Sequence, residues 1–353
     1  MKTIAISAAL LFAFAVGAGP VHAQSADNKP AVVKIDPSFD ALLSPDAKLE
    51  LLSTGYGFVE GIVWVQKKGK PGYLLLSDMP ANVIFKLTPD GKQSLFMDRS
   101  GYTGYDIWRV GFIQNNGREK SDPKYEEFPM IGSNGLTLDP QGRLLIATWT
   151  GRSIDRIENN GKRKVLAGRW EGKRFGGTND LVSKKNGTIY FTDGYNGMRL
   201  REKDPSKEID FRGVFMLKDG KVTRIAPEIE TPNGLALSPD EKYLYLNNGG
   251  LKVVRRYEIQ KDDTPVNPTV FFDMSADKTP GIADGMKVDI KGNVYESGPG
   301  GIWIISPEGK LLGKILTPEL VANHTFGDPD HKTLYIVARS SVYKIRLNTA
   351  GIP

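Results

Sequence analysis

Residues 232–246 read Pro232-Asn233-Gly234-Leu235-Ala236-Leu237, then Ser238-Pro239-Asp240-Glu241-Lys242, then Tyr243-Leu244-Tyr245-Leu246. An oxygen-bearing side chain and a glycine open a short apolar run, a Pro-Asp turn follows, and a second apolar run returns. The same phrase can be read six times. Its copies start at Val59-Glu60-Gly61, Ser133-Asn134-Gly135, Thr178-Asn179-Asp180, Pro232-Asn233-Gly234, Ala283-Asp284-Gly285 and Ala322-Asn323-His324. The starts lie 39 residues apart at the closest (Asp284 to Asn323) and 74 at the farthest (Glu60 to Asn134). A period of roughly 40–50 residues suits one four-stranded blade. Six copies therefore predict an all-β chain folded as a six-bladed β-propeller. Short runs of β-formers such as Tyr73–Leu76, Ile189–Thr192 and Leu334–Val337, punctuated by Gly, Pro, Asn and Asp, fit that reading, and no stretch keeps a helical period over three turns.

The ends of the chain predict how the ring closes. After Asn323 there is room for only three strands, whereas residues 48–53 form a strand with no blade of its own. That strand is expected to complete the last blade from outside, which removes two free edges. Upstream, Lys2 precedes an apolar run from Ile4 to Val16 and a small-x-small site at Val21-His22-Ala23. Residues 1–23 thus read as a secretory signal peptide, too short for a spanning helix. Residues 24–47 read as an extended lead-in and 48–353 as the propeller. The long first interval holds an insertion, 100–131, with Tyr102, Tyr105, Trp108, Phe112, Tyr125 and Phe128; its aromatics favour a loop packed on one face.

Composition narrows the function. The 353 residues include no Cys, so a secreted chain of this length must rely on its core, as in a bacterial periplasm. The net charge of +6 is spread rather than striped with exposed aromatics, which argues against a nucleic-acid partner, and no second segment is apolar enough for a membrane.

In a propeller the innermost strands line a central channel, so Glu60, Asn134, Asn179, Asn233, Asp284 and Asn323 should converge on the axis. The competing reading is turn chemistry. It suffices for Asn134-Gly135 and Asn233-Gly234, but less well for Glu60-Gly61, Asn179-Asp180 and Asn323-His324, where the oxygen stays and the turn varies. Two carboxylates and several amide oxygens are hard ligands suited to Ca²⁺, Mg²⁺ or Mn²⁺, with Ca²⁺ the most tolerant of irregular geometry. A structural zinc site would want Cys or His clusters, and His331 sits in a turn.

Val59-Glu60-Gly61-Ile62-Val63-Trp64, Thr178-Asn179-Asp180, Pro232-Asn233-Gly234-Leu235 and Ala283-Asp284-Gly285-Met286, in that order, resemble the motifs of the senescence-marker-protein/gluconolactonase/luciferin-regenerating-enzyme family. The resemblance runs from about Leu49 to Leu347. It implies a six-bladed propeller with one divalent ion in its channel, often calcium, with Zn²⁺ also known in the family. By position it implies Glu60, Asn179, Asn233 and Asp284 as metal ligands, Asn179 doubling as a substrate contact. Many members hydrolyse lactones, so the expected substrate is a small-molecule lactone. The ion would polarise its carbonyl and Asp284 would take a proton from water, with Asp180 and Glu60 as the other candidate bases.

The ends of the second strands, Asp78, Trp149, Asp193, Asn247, Glu296 and Arg339, should wall the pocket. Arg174, Asn134, Asn179, Trp149 and His324 are the expected substrate contacts, Arg174 by resemblance to a substrate-binding arginine of the family. There is no Gly-x-Ser-x-Gly elbow. Two other readings use the same fold: a phosphotriesterase-like hydrolase on the same ion, and a non-catalytic, calcium-stabilised binding propeller. Asn323-His324-Thr325 is more polar than the family pattern, and the 100–131 insertion is long; both bear on substrate choice.

Overall fold

The computed structural model describes residues 31–43 and 47–352, so the expected signal peptide lies outside the described residues. Six antiparallel sheets follow one another along the chain. Blade 1 comprises Val59–Val65, Tyr73–Asp78, Val83–Leu87 and Gln93–Asp98; blade 2, Leu136–Leu138, Leu144–Ala147, Ile154–Ile157 and Arg163–Ala167. Blade 3 comprises Thr178–Ser183, Ile189–Asp193, Gly213–Lys218 and Lys221–Ile225; blade 4, Pro232–Leu237, Tyr243–Asn248, Val253–Ile259 and Pro265–Asp273. Blade 5 comprises Met286–Val288, Val294–Gly298, Gly301–Ile305 and Leu311–Leu316; blade 6, Val321–Gly327, Thr333–Ala338 and Ser341–Arg346.

The fourth place in blade 6 is filled from the other end of the chain. Glu50–Thr54 pairs antiparallel with Ser341–Arg346, Glu50 opposite Lys344 and Thr54 opposite Ser341. A second N-terminal strand, Val32–Lys34, adds a fifth strand to the outer edge of blade 5, with Val32 opposite Ile315. Phe39, in the 3-10 turn Pro37–Ala41 that follows, is buried against Ile302, Ile304, Leu312 and Ile315.

The core is divided among the seams. Each pair of neighbouring blades shares one apolar cluster, and the blade 6–blade 1 seam is built like the rest: Trp64 and Leu76 meet Tyr335 and Val337, the two rings stacked 5.9 Å apart. Period-2 alternation produces this, because each strand sends successive side chains to the two faces of its sheet. Leu74 and Leu76 serve the seam with blade 6 while Leu75 serves that with blade 2, all three essentially inaccessible. Burying one such side chain is worth about 1.5–3 kcal/mol.

The insertion does not join a blade. Ile113–Asn115 and Glu127–Pro129 form a short hairpin of their own. Phe112 and Phe128 pack onto Met79, Met130 and Trp149. Gly111 N donates to Gly197 O at 3.1 Å in blade 3, while Gly117 lies against the Arg339 guanidinium in blade 6. The segment therefore lies over the ends of the inner strands and links blades on opposite sides of the ring.

Candidate active site

Four inner strands break register at the start of their copy. The pairing skips between Val59 and Ile62, Thr178 and Leu181, Pro232 and Leu235, and Val321 and Asn323. A bulge of this kind bends the strand and re-aims a side chain. The glycines that follow the oxygen-bearing residues are explained by close approach rather than by turn conformation. Gly61 and Gly234 have ordinary φ, but a Cβ on Gly61 would collide with the Asn134 carbonyl, and one on Gly234 with the Asp284 carbonyl. Each copy is pressed against the next, which settles the choice between turn and axis for these residues. Second-strand side chains hold the same carbonyls: Ser77 Oγ donates to Asn134 O at 2.9 Å, Thr192 Oγ1 to Asn233 O at 2.9 Å and Asn247 Nδ2 to Asp284 O at 2.6 Å.

Five of the six expected side chains form one connected arc. Asn134 Nδ2 donates to Asn179 Oδ1 at 2.5 Å, and Asn179 Nδ2 to Asn233 Oδ1 at 2.6 Å. At the two ends, Asn134 favours the charged form of Glu60 and Asn233 that of Asp284 by side-chain hydrogen bonding. Asn323 is set apart. Its Oδ1 accepts from its neighbour His324 N at 2.9 Å and from Lys287 Nζ at 3.3 Å, and its side chain bonds Asp180. Accessibility divides the arc too: Glu60 and Asn134 are buried, while Asn179, Asn233 and Asp284 stay partly open to the channel.

The electrostatics follow from crowding acids in a confined space. Burial, reinforced by the nearby Asp180 charge, pushes the Glu60 carboxyl up to about 8, against the pull of Asn134 and Lys287. Burial and then the Glu60, Asp180 and Glu296 charges raise Asp284 well above the usual carboxylate range. Asp180 and Glu296 are raised chiefly by burial. Lys287 is the cation that answers these acids; burial lowers its pKa while Asp180, Glu60 and Glu296 support its charge.

The donor set fits a hard cation. Asp180 Oδ2, Glu296 Oε2, Asn134 Oδ1 and Asn247 Oδ1 are buried acceptors without a partner among the described residues. Asp180, Glu60 and Glu296 share one lysine, so acceptor oxygens are in surplus. No three His, Cys, Asp or Glu side chains cluster closely enough by themselves to hold an ion among the described residues. Asparagine oxygens would therefore supply part of any coordination shell, which suits an oxygen-seeking divalent ion.

A pocket of ≈ 290 Å³ opens beside the arc, lined by Asn179 and Asn233 at its axial side and by Trp149, Asn196, Arg201 and Arg212 farther out. Trp149 is thus where the sequence expected it. His324 is not available to a ligand: it is fully buried, its Nε2 3.1 Å from Tyr295 O and its Nδ1 3.4 Å from Ser297 Oγ, and burial pushes it down to about 3. It is a neutral packing residue. Arg174 lies in a separate shallow depression with Arg152 and Arg169, its Nη2 3.4 Å from Gly151 O. Asp193 is also structural, receiving Gly176 N at 3.0 Å and Gly177 N at 2.8 Å.

Sequence reasoning missed Lys287, Arg201 and Arg212. A signal existed for Lys287, a charged residue between Met286 and Val288 on an inner strand, where period 2 turns it toward the channel. The two arginines belong to a connection inside blade 3 that has no counterpart in the other copies.

The sequence profile of the SMP-30/Gluconolactonase/LRE-like region matches residues 58–340. A gluconolactonase of Zymomonas mobilis is 33% identical over 334 residues, spanning 91% of this chain and 87% of that protein. A pentonolactonase of Haloferax volcanii is 26% identical over 205 residues, 57% of this chain and 65% of that one. The solved structure of a gluconolactonase from Xanthomonas campestris superimposes with a TM-score of 0.71 at 25% identity, covering 90% of this chain and 94% of the other.

Proposed function

The chain belongs to the SMP-30/gluconolactonase/LRE-like family, and from that membership and the channel chemistry we propose that it is a lactone hydrolase dependent on one divalent cation, Ca²⁺ first. The observation that carries the cation is the arc itself: two carboxylates joined through three asparagines, with unpartnered acceptor oxygens on its flanks. Glu60, Asn179, Asn233 and Asp284 would hold the ion. When bound, it supplies a Lewis acid that polarises the lactone carbonyl.

The residues of the chain do the rest. Asn179 and Asn233 border the pocket and orient the substrate from the axial side. Asp284 is the arc carboxylate that stays partly accessible, so it is positioned to take a proton from the attacking water. The water oxygen bonds to the carbonyl carbon, the ring C–O bond breaks, and the proton passes to the alkoxide that leaves. Glu60, closed off from solvent, orients and charges the site without meeting substrate. The insertion limits water entry by covering the inner-strand ends. The reading of residues 1–23 as a signal peptide supports a secreted, periplasmic enzyme.

The test is hydrolysis of sugar and aliphatic lactones by the purified protein, before and after chelation, with calcium, magnesium or manganese returned singly. Activity should vanish with chelator, return with one ion, and fall by at least about 100-fold in Glu60→Gln and Asp284→Asn, on the scale of losing a transition-state oxyanion contact. A folded protein that binds calcium tightly yet turns over no lactone would sink the reading.

A further inference from the structure

We propose that the lactone taken by this site carries an anionic group, a carboxylate or a phosphate, held at the outer wall of the pocket by Arg201 with Arg212. The inference rests on the lactone-hydrolase reading and names the substrate class within it. The outer wall carries two guanidinium groups. Arg201, exposed to solvent, has no carboxylate within 4.0 Å and no hydrogen-bond acceptor among the described residues. Trp149 is buried, and its ring gives the wall an apolar surface beside Phe112. Arg212 is ion-paired with Glu202, so Arg201 is the charge left over.

The wall is also fixed in place. The Arg201 guanidinium lies 4.0 Å from the Phe112 ring centroid, and Phe112 lies 6.3 Å from Trp149. The insertion thus builds the platform on which the arginine rests. Arg201 and Trp149 both hold left-handed backbone conformations, φ 52° and 50°, which are uncommon away from glycine and gather at functional sites. Carboxylate and phosphate match a guanidinium in both charge and hydrogen-bond geometry, which a neutral hydroxyl does not.

The experiment compares D-glucono-1,5-lactone with its 6-phosphate and with the carboxylate-bearing glucaro-1,4-lactone, in the purified cation-loaded protein. The expected result is a KM about tenfold lower for at least one anionic lactone, a difference that shrinks with added salt. Arg201→Met should abolish that advantage through KM and Arg201→Lys restore part of it. Whichever anion shows the lower KM identifies the source. Equal KM for neutral and anionic lactones, or an Arg201→Met effect of the same size on all three, overturns the proposal while leaving the lactonase standing. If no lactone is turned over, calorimetry with glucarate and gluconate decides separately. Tighter glucarate binding that Arg201→Met removes supports the anion subsite without the lactonase, and equal binding overturns it.

Discussion

The arc of five side chains lines the pocket through Asn179 and Asn233, whereas the 100–131 insertion meets its wall only through Phe112, beneath Arg201 and beside Trp149, and the two are built from opposite kinds of sequence. The arc comes from a phrase repeated round the ring, and each member is locked by its neighbour: Asn134 to Asn179, Asn179 to Asn233, with backbone packed so tightly that only glycine fits between. The insertion occurs once. Two of its aromatics, Phe112 and Phe128, pack on Trp149, while Tyr105 and Trp108 remain 80% and 66% exposed. The repeated part fixes its side chains because five blades contribute one each to the arc. The unrepeated part stands outside the blade ladders, so it can vary without disturbing the ring.

The largest effect should come from breaking the ring. In Gly234→Ala the new methyl meets the Asp284 carbonyl, a backbone atom that cannot swing aside. Overpacking of this kind costs roughly 1–3 kcal/mol, and here the strain falls on Asn233 and Asp284 together. The variant should melt lower and lose most of its calcium-induced rise in Tm. An equivalent substitution in the insertion, Gly104→Ala, meets only the flexible edge of Tyr102 and should leave that rise intact. If the two variants respond alike, the contrast between ring and insertion fails.

The next effect concerns charge within the channel. Glu60 has a folded pKa of about 8 against 4.5 for the unfolded chain. Between those values the cation-free folded protein keeps a proton that the unfolded chain has lost, so its stability falls as pH rises through this window. A cation displaces that proton. Its affinity should therefore climb between pH 6 and 8, by about tenfold per unit for each proton displaced, Asp284 adding to the proton that Glu60 releases. Lys287→Met removes the positive charge that Asp180, Glu60 and Glu296 share. At pH 8.5 the variant should be less stable without calcium and should bind it about tenfold more tightly. Calorimetry and melting curves across pH read both. An affinity that stays flat with pH, or weakens in Lys287→Met, would mean that the ion sits elsewhere.

How far the sequence could be read follows the same division. Every blade and all six oxygen positions were visible, because a repeat averages over local ambiguity. The repeat assigns Asn323 to the ring with the rest; the structure turns it to Lys287 and Asp180. The fifth strand on blade 5 was invisible: Val32–Lys34 is three residues long, and its partner strand carries no mark of an extra neighbour. Arg201 and Arg212 lie in an irregular connection between two strands of blade 3, where no period operates. Arg201 rests on Phe112, some ninety residues away in the chain, a contact that only folding brings about.

The smallest expected effect tests that dependence. Phe112→Ala deletes the ring under Arg201 and the neighbour of Trp149, but touches no member of the arc. A cation–π contact at a partly exposed site is worth about 0.5–1 kcal/mol, so KM for the preferred lactone should rise about two- to fivefold. Calcium affinity should not move, because the arc is held by inter-blade hydrogen bonds that Phe112 does not share. The value of the variant lies in that split. A change in KM alone means the insertion acts on the substrate through the arginine it supports. A matching loss of calcium affinity would mean that the insertion also braces the arc, and the two regions would have to be treated as one site.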